Sequence, residues 1–306
     1  MQSQFKNLQQ LLDFFKDEDF CKEWYAQQRW GGNPACPHCG CINPYVTNRG
    51  YKCREKTCHK KFSVTVGTIF ENSKIGLRTW FAAMFLCTTS KKGVSSIQLS
   101  ETLGITQKSA WFVLHRIREM LKDNSTDQLT GEVEIDETYI GGKERNKHKS
   151  KRKRVNGYTG KTPMVGLLQR NGNMVLRPVT TGYANGAAIK PIVREIVSKD
   201  ATIITDGFGA YSGLHKEFKQ HEIVNHEKEE YVRGKFHTNS IEGFWSILKR
   251  GIYGIYHSVS VKHLNNYCSE FGYRYNTRDL TSVERFKNAV LKVSNTRVTY
   301  KELIRK

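Results

Sequence analysis

Hydrophobic and polar positions follow two different periods along the chain, and the change of period divides it into two parts. In residues 4–29 and again in residues 76–89, apolar side chains recur every three or four positions, which is the spacing of one helical face. From residue 131 the period becomes two, which is the spacing of a strand with one buried face. The pattern therefore predicts a helical first part followed by an α/β second part.

The first strand of the second part carries carboxylates on both of its faces. Val133 and Ile135 point one way and Glu134 and Asp136 the other, so that Glu137 stands opposite Asp136. Further strands are predicted at residues 163–168, 174–180, 201–205 and 221–225. The expected element order is three strands, helix, strand, helix, strand, helix. This order predicts a mixed five-stranded α/β sheet with flanking helices.

A strongly amphipathic helix is predicted to begin near Thr238. Its apolar stripe recurs at intervals of three and four residues and consists of Ile241, Phe244, Trp245 and Leu248. Thr238, Asn239 or Ser240 can cap its first turn, because a short polar side chain accepts a hydrogen bond from a free N–H there. Glu242 lies off the stripe, and Lys249, about two turns further on, shares its face roughly 10 Å away. A single Glu at such a position is most often a solvated surface charge.

Residues 93–118 have the pattern of a helix-turn-helix motif. One helix ends at a turn around Gly104, and a second helix, capped by Thr106, follows. In such motifs the N-terminal end of the second helix contacts bases in the major groove of DNA. The residues at that end are Gln107, Lys108 and Ser109. An ordinary helical hairpin has the same pattern and is the alternative.

The cysteines indicate a metal site. The chain has eight of them, of which Cys21, Cys87 and Cys268 are scattered while the others lie close together. Two closely spaced pairs suit a tetrahedral zinc ribbon, since four thiolates complete the coordination shell. The expected ligands are Cys36, Cys39, Cys53 and Cys58. Because the second pair is spaced more widely than the first, Cys41, His38 or His59 can replace one of these cysteines. Such clustering indicates metal in a reducing compartment rather than a disulfide scaffold.

The charge of the chain points to a polyanionic partner. The formal charge is +20 and the isoelectric point is near 9.6, as expected for a protein that holds a phosphate backbone. The densest basic stretch is the loop 141–161, which contains Arg152, Lys153 and Arg154. So dense a run of like charge does not fold alone, and we expect nucleic acid to order it. A disordered, solvated loop is the alternative.

No membrane association is expected. The chain has no run of 18 apolar residues, and its start lacks the apolar segment of a secretory signal. The expected location is the cytoplasm, in association with the nucleoid if the source is bacterial, or the nucleus if the source is eukaryotic.

Three carboxylates stand where an α/β sheet usually carries chemistry. Asp136 lies on the first strand, Asp206 at the end of the apolar strand 201–205, and Glu242 on the amphipathic helix. If they converge, three hard oxygen ligands suit Mg²⁺ or Mn²⁺, which keep water and substrate phosphate as further ligands. Two such ions can activate a water or a 3′-hydroxyl and stabilise the leaving oxygen of a phosphodiester.

Six motifs carry a resemblance to a known family. They are Cys36-Pro-His-Cys39, Gly67-Thr-Ile-Phe70, Glu134-Ile-Asp136-Glu137, Thr205-Asp206-Gly207, His237-Thr-Asn239-Ser-Ile241-Glu242-Gly243 and Phe271-Gly-Tyr-Arg274-Tyr-Asn276. Through them, residues 30–280 resemble the DDE-class transposases of bacterial insertion sequences. The resemblance is to the ISXO2-like group, with its N-terminal zinc ribbon and RNase H-like catalytic domain, and to the eukaryotic Merlin-type elements.

The resemblance implies metal-dependent cleavage of DNA at terminal inverted repeats and strand transfer into target DNA. It implies Asp136, Asp206 and Glu242 as the catalytic triad. Lys249 matches the basic residue that such enzymes lay on the transposon end, and Arg250 beside it is a further expected DNA contact. Some relatives use Asn as the third catalytic residue, which leaves Asn239 as an alternative to Glu242. Because transposition joins two ends, the resemblance also implies at least a dimer on double-stranded DNA.

Two other functions stay open on the sequence alone. One is a non-catalytic DNA-binding regulator derived from a transposase, and the other is an RNase H-like repair nuclease. The predicted domains are N-terminal helices at 1–30, a zinc ribbon at 31–72, a helix-turn-helix region at 73–128, an RNase H-like catalytic domain at 129–280 and a C-terminal tail or helix at 281–306.

Overall fold

The computed structural model describes residues 5–122, 126–142, 148–151, 161–179, 182–225, 232–294 and 296–305. Contacts divide the chain into two units. The first unit combines residues 1–122 with 279–306, and the second consists of residues 123–278. No helix within the described residues is both long and apolar enough to cross a membrane.

Residues 5–122 form helices around a small sheet. The elements are α1 (Leu8–Phe14), α2 (Glu18–Trp30), β1 (Tyr45–Thr47), β2 (Gly50–Lys52), β3 (Lys61–Phe62), α3 (Leu77–Thr89), α4 (Ser96–Leu103) and α5 (Gln107–Met120). The three strands pair antiparallel in the order β1-β2-β3. This is the small sheet predicted around the paired cysteines.

Local signals set the boundaries of these helices. The Asp17 side chain accepts a hydrogen bond from the N–H of Phe20, which caps α2. Gly104 ends α4 with a φ of 64°, a left-handed conformation that glycine adopts without a steric penalty. Thr106 then caps α5 by accepting a hydrogen bond from the N–H of Ser109. The helix–turn–helix sequence of elements predicted for this segment is thus present.

The second unit is built on a mixed sheet. Its elements are β4 (Glu132–Ile140), β5 (Thr162–Gln169), β6 (Met174–Pro178), α6 (Gly186–Ile196), β7 (Thr202–Thr205), β8 (Gln220–Ile223), α7 (Asn239–Gly251) and α8 (Val261–Asn276). The strand order is β6-β5-β4-β7-β8. The three-strand meander β4 to β6 is antiparallel, and β7 and β8 add parallel to β4. This is the predicted mixed five-stranded α/β sheet, with β4 at its centre.

Helices cover both faces of the sheet. Val133 and Ile135 of β4 belong to an apolar cluster that includes Ile189 and Val193 of α6. On the other face, side chains of β5 and β6 pack against the apolar stripe of α7 and against α8. This second cluster contains Met164, Leu176, Ile241, Phe244, Trp245, Leu248, Leu264 and Phe271. The predicted alternation along β4 therefore assigns its two faces correctly.

One expected element is absent from the second unit. We expected a helix between the fourth and fifth strands, but the fully described segment between β7 and β8 holds only two single 3₁₀ turns, at Gly209–Tyr211 and Leu214–Lys216. Glycines interrupt this segment, and Gly213 has a φ of 88° that no helix contains. The expectation of a helix there was wrong.

The last helices return to the first unit. They are α9 (Ser282–Leu291) and α10 (Tyr300–Ile304), and each begins with a Thr–Glu capping box. Phe286 of α9 is fully buried, with its ring centroid 5.9 Å from that of Phe81 in α3. The guanidinium of Arg116 in α5 donates to the carbonyl oxygen of Val298 at 2.7 Å. Residues near both ends of the chain therefore share one core.

Candidate active site and metal centres

Asp136 lies at the centre of the sheet, where a glycine makes room for its main partner. The residue paired with it on β5 is Gly166. A Cβ atom at Gly166 would lie 2.6 Å from the indole ring of Trp245, so only glycine lets that ring lie against the sheet. The indole Nε1 of Trp245 donates to Oδ2 of Asp136 at 2.9 Å, and the N–H of Glu137 donates to Oδ1 at 2.8 Å.

Asp206 follows directly after β7, the parallel neighbour of β4. The register pairs Glu134 with Ile204, and its continuation by two positions brings Asp206 level with Asp136. The N–H of Phe208 donates to Oδ1 of Asp206 at 3.0 Å, which fixes the turn that follows the strand. Two of the predicted carboxylates therefore lie side by side on neighbouring parallel strands, at the level where β7 ends.

Glu242 lies in the first turn of α7 and is exposed. Its Oε1 accepts a hydrogen bond from the hydroxyl of Thr238 at 2.9 Å. Asn239, the alternative third residue, is the first residue of the same helix and is also exposed. Both side chains are thus exposed in the first turn of α7.

The electrostatics link the three carboxylates. The pKa of Asp136 is raised to about 6, chiefly by burial and also by the nearby charges of Asp206 and Glu242, while the Trp245 hydrogen bond opposes the shift. The carboxylate oxygens do not form a closed cluster. Within the described residues, the group of three or more metal-binding side chains whose ligand atoms all lie within 4.8 Å of one another consists of cysteines. The three carboxylates therefore affect one another through their charges, without all of their oxygens lying within 4.8 Å of one another.

A fourth carboxylate stands on the opposite face of β4. The hydroxyl of buried Tyr211 donates to Oε2 of Glu137 at 2.7 Å. The pKa of Glu137 is raised to about 7, chiefly by burial and also by the charges of Asp136 and Asp206, while the Tyr211 hydrogen bond opposes the shift. The prediction that Asp136 and Glu137 occupy opposite faces agrees with these contacts.

The start of α7 is held by strand β4 rather than by its own side chains. Thr238 is the N-cap residue but makes no capping hydrogen bond with its side chain. Instead, the N–H groups of Ser240 and Ile241 donate to Oε2 of Glu134 at 3.1 and 3.0 Å. The expectation that Thr238, Asn239 or Ser240 caps the helix is corrected in this respect, because a buried carboxylate from 106 residues earlier takes the first free N–H groups.

Sequence reasoning assigned Glu134 to a strand face and to a family motif, but gave it no role. Its carboxylate is fully buried, and Arg170 donates to it through Nε at 3.0 Å. The same guanidinium donates to Glu132 and to the carbonyl oxygens of Lys235 and His237, which lead into α7. The one signal in the sequence that could have pointed to a role for Glu134 is its position on the same strand face as Asp136, two residues before it.

The four predicted zinc ligands come together in the first unit. The sulfur atoms of Cys36 and Cys58 lie 3.9 Å apart and those of Cys39 and Cys53 lie 3.4 Å apart, and all four lie within 4.8 Å of one another. Zinc–sulfur bonds of about 2.3 Å in a tetrahedron require sulfur separations of about 3.8 Å, so this set fits the ion. The thiol of Cys41 donates instead to the carbonyl of Ile42. Neither His38 nor His59 belongs to the cluster.

The predicted DNA contacts are placed as follows. Lys249 is half-buried and Arg250 exposed in the last turn of α7. At the start of α5, the side-chain amide of Gln107 donates to the hydroxyl of Ser96 at 2.8 Å, and Nζ of Lys108 lies 4.9 Å from the ring centroid of Tyr300. Ser109 is bound to the cap residue of the same helix. Three further predicted contacts lie outside the described residues, namely Arg152, Lys153 and Arg154.

Two family models cover most of this architecture. Residues 128–276 match the ISXO2-like transposase domain, and residues 16–61 match the transposase zinc-ribbon domain. The chain carries an ISXO2-like transposase domain and a transposase zinc ribbon, and its function is that of a DNA transposase.

Related proteins agree with this assignment. A protein of the transposable element ISH50 from Halobacterium salinarum is 29% identical over 264 residues, which is 81% of this chain and 87% of that protein. A transposase-like protein from Haemophilus influenzae is 28% identical over 104 residues, 34% of this chain and 83% of the relative.

Solved structures of transposases are similar only at a low level. A pre-cleavage Mos1 transpososome covers 72% of this chain and 79% of its own, at 13% identity and a TM-score of 0.24. The Drosophila P element transposase strand transfer complex covers 68% and 59%, at 12% identity and a TM-score of 0.27. Scores this low carry no argument about the site, which rests on the strand order and side chains of this chain.

Proposed function

We propose that this transposase cleaves DNA at the terminal inverted repeats of its element and transfers the strand into target DNA. The catalytic residues in this proposal are Asp136, Asp206 and Glu242. The observation that carries it is the placement of Asp136 and Asp206 level with each other on neighbouring strands, with Glu242 on the helix α7 that is bonded to Asp136 through Trp245. Carboxylates that repel one another at the edge of an RNase H-like sheet are arranged to receive a cation.

Mg²⁺ or Mn²⁺ fits this donor set, because carboxylate oxygens are the ligands that these hard cations prefer. Asp136 and Asp206 would hold the cation from neighbouring strands, and Glu242 would hold it from α7. A bound pair of such ions supplies an activated water or 3′-hydroxyl and stabilises the leaving oxygen of the phosphodiester. Trp245 fixes the orientation of Asp136, while Lys249 and Arg250 on α7 provide positive charge for the phosphates of the transposon end.

Glu242 is the preferred third residue over Asn239. A carboxylate binds a hard divalent cation better than an amide does, and the Glu242 charge acts on Asp136. Lys249 also lies about two helical turns after Glu242 on the same face of α7, at the interval at which related enzymes place a basic residue on the transposon end.

The first unit supplies recognition in this proposal. Cys36, Cys39, Cys53 and Cys58 hold a structural zinc ion in the ribbon, and the α4–α5 pair reads the repeat sequence. Gln107, Lys108 and Ser109 stand at the end of α5 that such motifs place in the major groove. Because two ends must be joined, the active form contains at least two copies of the chain.

Incubation of the purified protein with a duplex ending in the terminal inverted repeat, in the presence of Mn²⁺, tests the catalytic proposal. Mapped nicks at the repeat end are expected for the wild type and for Asn239→Ala. They are not expected for Asp136→Asn, Asp206→Asn or Glu242→Gln, although all three bind the end. Asp200→Asn, on an exposed turn of the same unit, is the matched control and should cleave normally.

The same assay separates the alternatives. Binding with no cleavage by the wild type would favour a regulator. Cleavage that does not depend on the repeat sequence would favour a structure-selective nuclease. Loss of cleavage in Asn239→Ala together with retained cleavage in Glu242→Gln would assign the third role to Asn239.

A further inference from the structure

The buried carboxylate of Glu134 accepts hydrogen bonds on both of its oxygens. Its side chain is 0% exposed. Oε1 accepts hydrogen bonds from Nε of Arg170 at 3.0 Å and from the hydroxyl of Ser240 at 2.9 Å. Oε2 accepts from the N–H groups of Ser240 and Ile241. Each oxygen therefore has two donors.

This saturation argues against Glu134 as a metal ligand. A carboxylate oxygen has about two lone-pair sites, and both are occupied on each oxygen of Glu134. A cation could bind only after hydrogen bonds to the backbone of α7 had broken. Asp136, two residues further along the strand, accepts one bond on each oxygen from the part of the chain that the structure describes, which leaves capacity for a cation.

The contacts of Glu134 fix α7 at one point, and those of Asp136 fix it at another. Glu134 holds the helix at residues 240 and 241, and Asp136 holds it through Trp245. Glu242 lies between these two points on the helix. Rotation or sliding of α7 along β4 would break bonds at both, so the position of Glu242 relative to Asp136 is set from both sides.

The approach to α7 is held by the same group of charges. Arg170 stands just after β5, and its two terminal nitrogens donate to the carbonyl oxygens of Lys235 at 2.8 Å and His237 at 3.0 Å. Its Nη1 also pairs with Glu132 at 2.7 Å. The chain entering α7 is therefore tied to the same strands as the helix itself.

The stability of the fold alone does not require the buried ion pair between Glu134 and Arg170. A buried ion pair often contributes no more than apolar side chains of similar volume, whereas it fixes one geometry among several. The apolar stripe of α7 binds the sheet but permits small shifts, because apolar contacts have no direction. Directional bonds from Glu134 remove that freedom.

We propose that Glu134, with Arg170, is a positioning residue that sets the register of α7 on β4 so that Glu242 faces Asp136 and Asp206. This inference rests on the proposed function of those three carboxylates. Glu134 acts through hydrogen bonds and does not touch the substrate or the cation.

The test uses Glu134→Gln in the full-length protein. The variant keeps the size of the side chain, but its amide nitrogen cannot accept the bonds that Oε1 or Oε2 now accepts. We expect the Mn²⁺ concentration for half-maximal cleavage to rise about tenfold or more, with recovery at high Mn²⁺. Titration of Mn²⁺ into the protein, followed by the electron paramagnetic resonance of free Mn²⁺, should show the same loss of affinity without reference to activity. Affinity for the repeat end should change less than twofold.

Glu270→Gln is the matched control. Glu270 is a buried carboxylate in the same unit, paired with Arg274 within α8, so this change removes a comparable charge without touching the start of α7. It should leave the Mn²⁺ dependence unchanged. If Glu134→Gln does not fold, Ser240→Ala removes one of the four donors and should weaken Mn²⁺ binding by twofold to threefold.

Unchanged Mn²⁺ affinity in folded Glu134→Gln, or an equal loss in Glu270→Gln, would overturn the inference. Failure of the proposed function appears differently. In that case the wild type itself would bind no Mn²⁺ that depends on Asp136, and Asp136→Asn would cleave as well as the wild type.

Discussion

At the scale of single residues, the ionised side chain of Asp136 lowers the stability of the folded protein when no cation is bound. Its pKa is about 6 in the folded chain, against an ordinary value of 3.8. A carboxyl group whose pKa is raised by folding binds its proton more tightly in the folded state. Its contribution to stability is therefore present below pH 4 and is lost as the pH rises from about 4 to 6. Between pH values below 4 and above 6, the contribution of Asp136 to the free energy of unfolding falls by about 3 kcal/mol.

The first prediction is that Asp136→Asn stabilises the protein at neutral pH. In thermal unfolding without added Mg²⁺ but with zinc retained, the variant should unfold at a higher temperature than the wild type at pH 8. The gain should be up to about 3 kcal/mol and should disappear at pH 4, where the wild-type carboxyl group is protonated. The exposed Asp200→Asn should show no such pH-dependent gain. A gain of equal size at both pH values would contradict the explanation.

The second prediction concerns the space beside Asp136. Gly166→Ala places a methyl group 2.6 Å from the present position of the Trp245 ring and 2.7 Å from the Met174 methyl group. The indole must move, and Asp136 then loses its hydrogen bond from Nε1. We expect cleavage to fall by tenfold or more while end binding is retained, measured by nicking rates and by binding assays. Gly172→Ala, whose three nearest neighbours all belong to the Gln169 side chain rather than to Trp245, should cleave normally.

The sequence identified the candidate carboxylates but not the residues that hold them. Asp136 and Asp206 stand out because each occupies a characteristic position on an apolar strand. Glu134 has the same position along the strand pattern as Asp136, and nothing local distinguishes their roles. Its partners lie 36 residues away in Arg170 and 106 residues away in Ser240, and only the folded chain brings them together.

At the scale of elements, α10 supports the N-terminal end of α5. The ring of Tyr300 lies 5.8 Å from that of Phe112 and under the ammonium group of Lys108. Buried Arg116 holds the chain just before α10 through the carbonyl oxygen of Val298. A helix from the C-terminal end of the chain therefore orients a lysine that is expected to contact DNA.

The third prediction is that Tyr300→Ala weakens binding to the repeat end. A cation–π contact at an exposed site contributes about 0.5–1 kcal/mol, so the loss of Lys108 orientation should reduce affinity by roughly twofold to fivefold. Fluorescence anisotropy with a labelled repeat end measures this change. Lys108→Ala should reduce affinity at least as much as Tyr300→Ala does. The double variant should bind no more weakly than Lys108→Ala alone, because Tyr300 then has no ammonium group to orient. The exposed Tyr183→Ala in the second unit is the control and should bind as the wild type does.

Local signals predicted most elements, and long-range packing decided the rest. Asp17, Gly104 and Thr106 act on their own neighbours, so the ends of α2, α4 and α5 follow from the sequence. The expected helix between β7 and β8 fails because glycines occupy a stretch whose apolar residues nevertheless pack in the core. The cap of α7 could not be predicted, because the acceptor is on another strand.

At the scale of the whole molecule, the return of the C-terminal helices to the first unit was not foreseen. The capping boxes that begin α9 and α10 are local signals of helices, but they do not say what the helices pack against. Phe286 joins an aromatic cluster that contains Phe15 and Phe81, and aromatic residues of this kind pack equally well in many arrangements. The domain boundaries proposed from the sequence stay predictions.

The last prediction concerns the charge of the whole chain. A protein with a formal charge of +20 that binds duplex DNA releases counterions from the phosphates that it neutralises. The logarithm of its association constant should therefore fall linearly with the logarithm of salt concentration, with a slope of about −0.9 for each phosphate contacted. Anisotropy titrations of the repeat end at several salt concentrations give this slope.

Individual basic residues can then be assigned from changes in that slope. Arg250→Ala, in the last turn of α7, should reduce the slope by about one contact if Arg250 lies on a phosphate, and Lys249→Ala should do the same. Arg194→Ala removes the same charge as Arg250→Ala, but Arg194 is already paired with Glu217, so its slope should match the wild type. A uniform reduction in all three variants would mean that only the net charge matters, and it would remove the specific assignment of α7 to the DNA.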